Sequence, residues 1–403
     1  MRLLICAGGT GGGVYPALSV LQTLQSRTEQ GSQGDAHEQP GVISAALPGV
    51  LSDEEQDTVL WVGGIGGMEA DLVKREGVRY EAIPAGQVHG ISLRSLPGNL
   101  WRLLLGFLAA CRLLRKFRPH VLLFTGGYLA VPVAFASRLL RQGKRLLYVP
   151  DIEPAWALKT LARLADQVAL TVEDSRSYFP KHPNVVVTGY PMRPGLQAWN
   201  KTQALQAFAL RNDLPVVMVL GGSRGARSIN QALQAVLPEL LRQVQVLHIS
   251  GTLDWSAVEA SRNNLPVELQ ARYRAYPYLH KEMGAALRAA DLVVSRAGAS
   301  VLGEYPLFGL PAILVPYPYA WRYQRVNAQY LVRQGAAVQL NDADLAEQLL
   351  PTIQVLLADR QRREGMRTAL KSLAQPRAAV EILHLIQNLA PHAGASSAGG
   401  ARV

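Results

Sequence analysis

The sequence predicts an α/β protein of two doubly wound parallel sheets, each flanked by helices on both faces and meeting across a cleft. Three observations predict it. Short β-branched or apolar runs alternate with helical stretches, the signature of strand–helix–strand crossovers. The alternation breaks at GYPMRPG, residues Gly189–Gly195, and restarts at Leu214. Four strand-to-helix turns, two in each half, are built of glycine and other small residues. A chain of 403 residues also exceeds what one core fills, so two domains are expected.

In the first half the expected strands are Arg2–Ala7, Val59–Val62, Tyr80–Ile83, Val121–Thr125, Arg145–Val149, Gln167–Thr171 and Val185–Thr188. In the second they are Val216–Leu220, Val246–Ile249, Leu292–Ser295 and Ala312–Val315. Ser26 to Asp57 is rich in Gln, Ser, Gly and acid and loses periodicity after Gln25; it is expected to be a mobile surface insertion. The two prolines and two glycines of Gly189–Gly195 mark the junction. Leu345 to Ala390 reads as helical, with a break at Gln375–Pro376. The small, polar tail from Pro391 is expected to be disordered.

The four turns are AGGTGGG (Ala7–Gly13), FTGGY (Phe124–Tyr128), LGGSRGARSIN (Leu220–Asn230) and SRAGASVLGE (Ser295–Glu304). Glycine lets the backbone approach a ligand, and the following helix offers N–H groups to an anion. Tight strand-to-helix turns also want glycine for structural reasons alone. None is a Walker loop, because no Gly-Lys-Ser/Thr follows. The fourth turn is the most informative. Ala299 and Ser300 stand where a helix begins, and Glu304 follows one turn later. That order suits a nucleotide diphosphate, with the dipole on the phosphates and the carboxylate on a ribose diol. A first-turn acid favouring the dipole is the plainer alternative.

Lys and Arg number 41 against 30 for Asp and Glu, a net charge of +11. No acid occurs between Glu81 and Asp151, a stretch that holds ten of the basic residues and leaves 31 against 30 elsewhere. The excess is therefore one patch. Nucleic acid is not expected, since no basic segment interleaved with aromatics and no RNA-binding signature occurs. Within the patch, Leu103–Cys111 is apolar and runs into a basic cluster. It is about half the ~20 residues a spanning helix needs. One reading is an interfacial helix, with Trp101, Leu104 and Phe107 dipping into the headgroups and Arg112, Arg115 and Arg118 on anionic lipid. The other is a buried helix whose charged end complements the dipole. Two cysteines, Cys6 and Cys111, make no disulfide framework or zinc set. The opening apolar run of about five residues is shorter than the roughly 7–15 of a secretory segment. A cytosolic, reducing location is expected.

Taken together, the motifs resemble the MurG family of N-acetylglucosaminyltransferases. The likeness runs in order through GGTGG…YPAL, GGMEADLV (Gly66–Val73), GGY, GYPMRPG, GGSRGARSIN, SRAGAS…GE, GLPAILVPYP (Gly309–Pro318), and Gln324, Asn327 and Ala328. The resemblance implies a GT-B fold and transfer of GlcNAc from UDP-GlcNAc to the polyprenyl-diphosphate acceptor lipid I. It implies a peripheral place on the cytoplasmic membrane face, no cofactor, and cell-wall synthesis proteins as further partners. An acceptor domain 1–191 is implied, with a returning helix at about 376–390, and a donor domain 192–375. Arg193, Ser223, Ala299, Ser300 and Val301 would face the diphosphate, and Glu304 the ribose. Leu279 and His280 would hold the uracil, and Gln324 the sugar hydroxyls. Thr10, Gly11, Gly12 and Tyr128 would receive the lipid.

The departures fall on the acceptor side. Gly13 stands where the family carries histidine in GGTGGH, and Tyr148-Val149-Pro150-Asp151 replaces HEQN. A usual Thr in the nucleotide turn is Val301. Transfer needs a base for the acceptor proton and positive charge or dipoles for the departing UDP. No DxD occurs, so no metal is implied. With histidine absent, Asp151 or Glu153, just past a strand end, is the candidate base; a turn or helix cap is the alternative. Two other functions stay open: a nucleotide-sugar or lipid binder that has lost turnover with Gly13, and a glycolipid transferase with another acceptor.

Overall fold

The computed structural model describes residues 1–8, 11–34, 58–67, 69–86, 96–222, 225–318 and 323–391. Two expected site residues, Thr10 and Ser223, lie outside the described residues, as do Arg94, most of the expected insertion and nearly all of the tail.

Among the described residues thirteen strands form two parallel sheets. The first contains β1 (Arg2–Cys6), β2 (Thr58–Gly64), β3 (Arg79–Ile83), β4 (Val121–Phe124), β5 (Lys144–Val149), β6 (Gln167–Leu170) and β7 (Val185–Val187), in the order β3-β2-β1-β4-β5-β6-β7. The second contains β8 (Val216–Leu220), β9 (Gln245–Ile249), β10 (Tyr273–Tyr276), β11 (Leu292–Ser295), β12 (Ala312–Leu314) and β13 (Ala337–Gln339), in the order β10-β9-β8-β11-β12-β13.

Burial explains why these runs are apolar throughout. Helices cover both faces of a parallel sheet, so neither face of a strand can be polar. The side chains of β1 alternate strictly, Leu3 and Ile5 into one cluster and Leu4 and Cys6 into the other, all fully buried. In the second sheet Val217 and Val219 go one way, Val216 and Met218 the other. The helix Ala378–Leu389 returns to the first sheet, where Ile382, Leu383 and Ile386 pack with Leu3, Ile5 and Val121.

Three differences from the sequence reading have physical causes. The strands β10 and β13 were not expected. Both are edges of their sheet, with a strand neighbour on one side only, and YRAY and AVQ carry no sustained apolar run. The first helix extends from Gly11 to Gly34, past Gln25, where hydrophobic periodicity stops. A helix leaving the core surface needs no apolar stripe. Phe107 packs on the first sheet's core instead of dipping outward. On the helix Leu96–Phe117, Phe107 shares a face with the buried Ala110, Cys111 and Leu114, at spacings of three, four and seven. The outward stripe is Trp101, Leu104, Leu105 and Leu108, all exposed.

Order reverses where β1 lies between β2 and β4, and again where β8 lies between β9 and β11. Open α/β sheets bind ligands at such switch points, beyond the carboxyl ends of the strands. The four glycine-rich turns follow β1, β4, β8 and β11. They therefore flank both switch points in pairs.

Candidate functional site

In the second half, the turn after β11 leads into the helix Val301–Phe308. The Val301 N–H is taken by the Gly298 carbonyl, and its side chain is buried in the core. Both the N–H and the side chain of Val301 are thus engaged within the second half. Glu304 follows on the open side of this helix and lines a cavity of about 120 Å³ together with Ser300, Arg193 and Leu279. Burial raises the Glu304 carboxyl to about 6, while the Arg193 guanidinium and a Ser300 hydrogen bond oppose the rise.

The cavity is also lined from the other half. Tyr15, on the helix Gly11–Gly34, places its hydroxyl 2.5 Å from that of Tyr278. The Arg193 guanidinium lies 5.5 Å over the Tyr15 ring. Burial, then the Tyr278 bond, holds the Tyr15 phenol well above its usual range. Neither tyrosine is among the residues picked out by sequence. Tyr15 sits in VYPAL directly behind the first glycine turn, and Tyr278 in the aromatic run YPYLH; those were the available signals. His280 is exposed and meets Tyr278 edge-on at 4.7 Å, so Tyr278 and Leu279, not His280, face the cavity. Gln324 does not line it either. Its Oε1 accepts the Tyr317 N–H at 2.9 Å and ties down the chain after β12.

In the first half, Asp151 and Glu153 follow β5 at the carboxyl edge of the sheet. Asp151 is partly exposed and Glu153 buried. Burial raises the Asp151 carboxyl to about 6, opposed by a hydrogen bond from Asn327. Tyr323 is near enough to Glu153, Tyr128 and Asp151 that all three raise its phenol further, after burial. The two strand-end carboxylates and Tyr128 thus face the helix Tyr323–Arg333 of the other half.

Gly13 is a close-packing position. The Thr125 hydroxyl donates to the Gly13 carbonyl at 2.6 Å. A Cβ on Gly13 would stand 3.2 Å from the Thr125 carbonyl oxygen, so a side chain there needs a shift of a few tenths of an ångström. Gly12 precedes it in the same helical turn.

Comparison with known proteins fits this layout. Residues 216–382 match the glycosyltransferase family 28 C-terminal domain and residues 42–170 its N-terminal domain. The chain is 40% identical over 427 aligned residues to the UDP-N-acetylglucosamine–N-acetylmuramyl-(pentapeptide) pyrophosphoryl-undecaprenol N-acetylglucosamine transferase of Roseiflexus sp. (strain RS-1), covering 96% of this chain and 95% of that one. It is 34% identical to the transferase of the same name from Desulforamulus reducens, over 97% and 99% of the two chains. The crystal structure of Acinetobacter baumannii MurG superposes with a TM-score of 0.70 at 24% identity, over 96% and 99%. The fold is GT-B. The end-to-end match to named transferases at these identities places the chain in the MurG family of glycosyltransferase family 28.

Proposed function

We propose that the chain is an inverting transferase that moves GlcNAc from UDP-GlcNAc to a membrane-borne polyprenyl-diphosphate acceptor, converting lipid I to lipid II in peptidoglycan synthesis. The carrying observation is the 40% identity, over nearly the whole of both chains, to a protein bearing that activity's name. Support comes from one cavity that gathers Ser300, Glu304 and Arg193, and from Asn327, which bonds both Asp151 and the Ala297 carbonyl of the turn leading to Ser300. Residues 192–375 hold the donor; residues 1–191 with 376–390 receive the acceptor.

The acceptor hydroxyl oxygen attacks the anomeric carbon as the bond from that carbon to the UDP oxygen breaks. The hydroxyl proton passes to a carboxylate, and UDP departs with the bonding electron pair. Ala299 and Ser300 N–H groups and Arg193 stabilise the charge that develops on the diphosphate. Glu304 takes the ribose diol. Asp151 is the preferred base, and Glu153, more deeply buried, is the second carboxylate of the site. With a pKa of about 6, Asp151 is mostly ionised at pH 7 yet more basic than an ordinary carboxylate, which suits proton abstraction. Sites for ligands of this size occupy roughly 300–1,000 Å³. The 120 Å³ cavity is smaller, and the Tyr15–Tyr278 contact is part of its lining.

A binder without turnover is the second reading, and Gly13 is what favours it. A transfer assay with UDP-GlcNAc and a lipid I analogue decides. Label appearing in the lipid is the expected result; nucleotide binding with no labelled lipid overturns transfer and leaves the binder.

Membrane docking is part of the proposal. Among the described residues no helix is long and apolar enough to cross a membrane. Trp101 and Leu104 are 60% and 46% exposed, and Phe135 and Leu139 on the adjoining helix Ala130–Leu140 are 46% and 69% exposed. Arg112, Arg115 and Arg118 are exposed beside them. Arg118 lies just past the helix end at φ 50°. This pairing of apolar side chains with arginines fits insertion at an anionic headgroup layer. Each basic residue contributes about 1 kcal/mol near such a surface. Reversing all three to Glu is expected to cut binding to anionic vesicles more than 100-fold in co-sedimentation, at about 1.4 kcal/mol per tenfold. Unchanged binding would remove this helix as the docking element.

A further inference from the structure

Asn327 is fully buried on the helix Tyr323–Arg333. Its amide reaches into both halves. Nδ2 donates to Asp151 Oδ1 at 2.8 Å and to the Ala297 carbonyl at 3.1 Å. Oδ1 accepts the Ile152 N–H at 3.2 Å. A carbonyl can only accept and a backbone N–H can only donate, so these two partners fix which way the amide faces. The nitrogen is therefore the atom that meets Asp151, and the carboxylate oxygen it meets is the acceptor.

The three partners matter by position. Ala297 belongs to the turn after β11 that leads to Ala299 and Ser300. Asp151 and Ile152 belong to the loop after β5 in the other half. Ile152 is itself buried in the second half's apolar cluster, with Ala328 and Leu331. The loop is thus fastened to the donor half by one side-chain amide and one apolar anchor. Arg333, two turns further along the helix, pairs with Asp174 of the first half at 2.8 Å.

We propose that Asn327 is a positioning residue that holds the Asp151 carboxylate in fixed register with the donor diphosphate turn, so that base and leaving-group site remain one unit while the cleft opens elsewhere. This rests on the reading of Asp151 as base. The titratable groups that face Asp151 are Tyr148 on β5, Tyr190 after β7 and Tyr323 on the Asn327 helix, with Glu153 two residues along the same loop. None is a cation. The Asn327 amide is therefore what favours the ionised carboxylate against burial.

The test is the pH profile of kcat for Asn327→Asp and Asn327→Ala, with UDP affinity and thermal melting measured on the same preparations. Asn327→Asp keeps the volume and can still accept the Ile152 N–H, but it faces Asp151 with oxygen. The expected result is a kcat at least tenfold lower. The acid limb should move up by about one pH unit, the direction in which a lost hydrogen bond and a facing carboxylate drive a carboxyl. UDP affinity should stay within about threefold. A folded variant whose acid limb keeps its wild-type position overturns the inference. Asp151→Asn separates the two claims. If it turns over at the wild-type rate, the base reading fails and the inference falls with it. If it is inactive while the Asn327 variants keep the wild-type limb, the positioning role alone fails.

Discussion

Asp151→Asn is expected to lower kcat by about 10²–10⁴-fold, the range that a general base contributes, and to leave UDP affinity near the wild-type value. The substitution keeps the shape of the side chain and removes its ability to take a proton. Asp151 does not line the donor cavity, so a loss of nucleotide binding would point to a structural role instead. The pH dependence gives the sign. Burial raises Asp151 to about 6, so the base is ionised above that pH and turnover falls as pH drops through it. In Asp151→Asn that acid limb should vanish from whatever turnover remains. Glu304, also raised to about 6, protonates over the same range. Its effect belongs to donor binding, so it should appear in KM for UDP-GlcNAc, while the Asp151 effect appears in kcat. Glu153→Gln is the companion variant. A loss there equal to that of Asp151→Asn, with Asp151→Asn still active, would transfer the base role to Glu153.

Arg193→Met is expected to cost about 10²–10³-fold in kcat, the penalty for removing one group aimed at charge that develops in the transition state. UDP affinity should fall by less, because the diphosphate already carries charge in the ground state and the added charge appears only as the sugar bond breaks. Arg193 also lowers Glu304, so in Arg193→Met the Glu304 carboxyl should titrate higher still. Donor KM should then begin to change at a higher pH than in the wild type. Steady-state kinetics across pH 5–9 for the two variants reads all of these outcomes. An unchanged kcat in Arg193→Met would leave the helix-turn N–H groups as sole stabilisers of the leaving group.

Much of this architecture was legible because parallel strands buried on both faces must be apolar end to end. That is why VVMVL and LVVS (β8 and β11) read clearly, whereas the edge strands YRAY and AVQ did not. The four glycine turns were legible as motifs, but their pairing at two switch points was not, since strand order is set by crossovers that spacing alone does not reveal. Candidates related by local chain order, such as Ser300 and Glu304, lie one turn apart and line the same cavity. Those that act across the cleft were harder to see. Tyr15 and Tyr278 are 263 positions apart, and Asn327 and Asp151 are 176 apart. Nothing local in either sequence marks such a pair. His280 and Val301 stand beside the cavity in sequence, but the direction in which each side chain points is set by packing that local sequence does not show.

The loss of the family histidine at Gly13 makes one measurement decisive: transfer of GlcNAc from UDP-GlcNAc to a lipid I analogue by the native chain, with Asp151→Asn and Gly13→His alongside. The account predicts that the native chain transfers, that turnover declines below about pH 6 as Asp151 protonates, and that Asp151→Asn transfers about 10²–10⁴-fold more slowly. Transfer that appears only in Gly13→His, or a native chain that binds UDP-GlcNAc and forms no product, would contradict it.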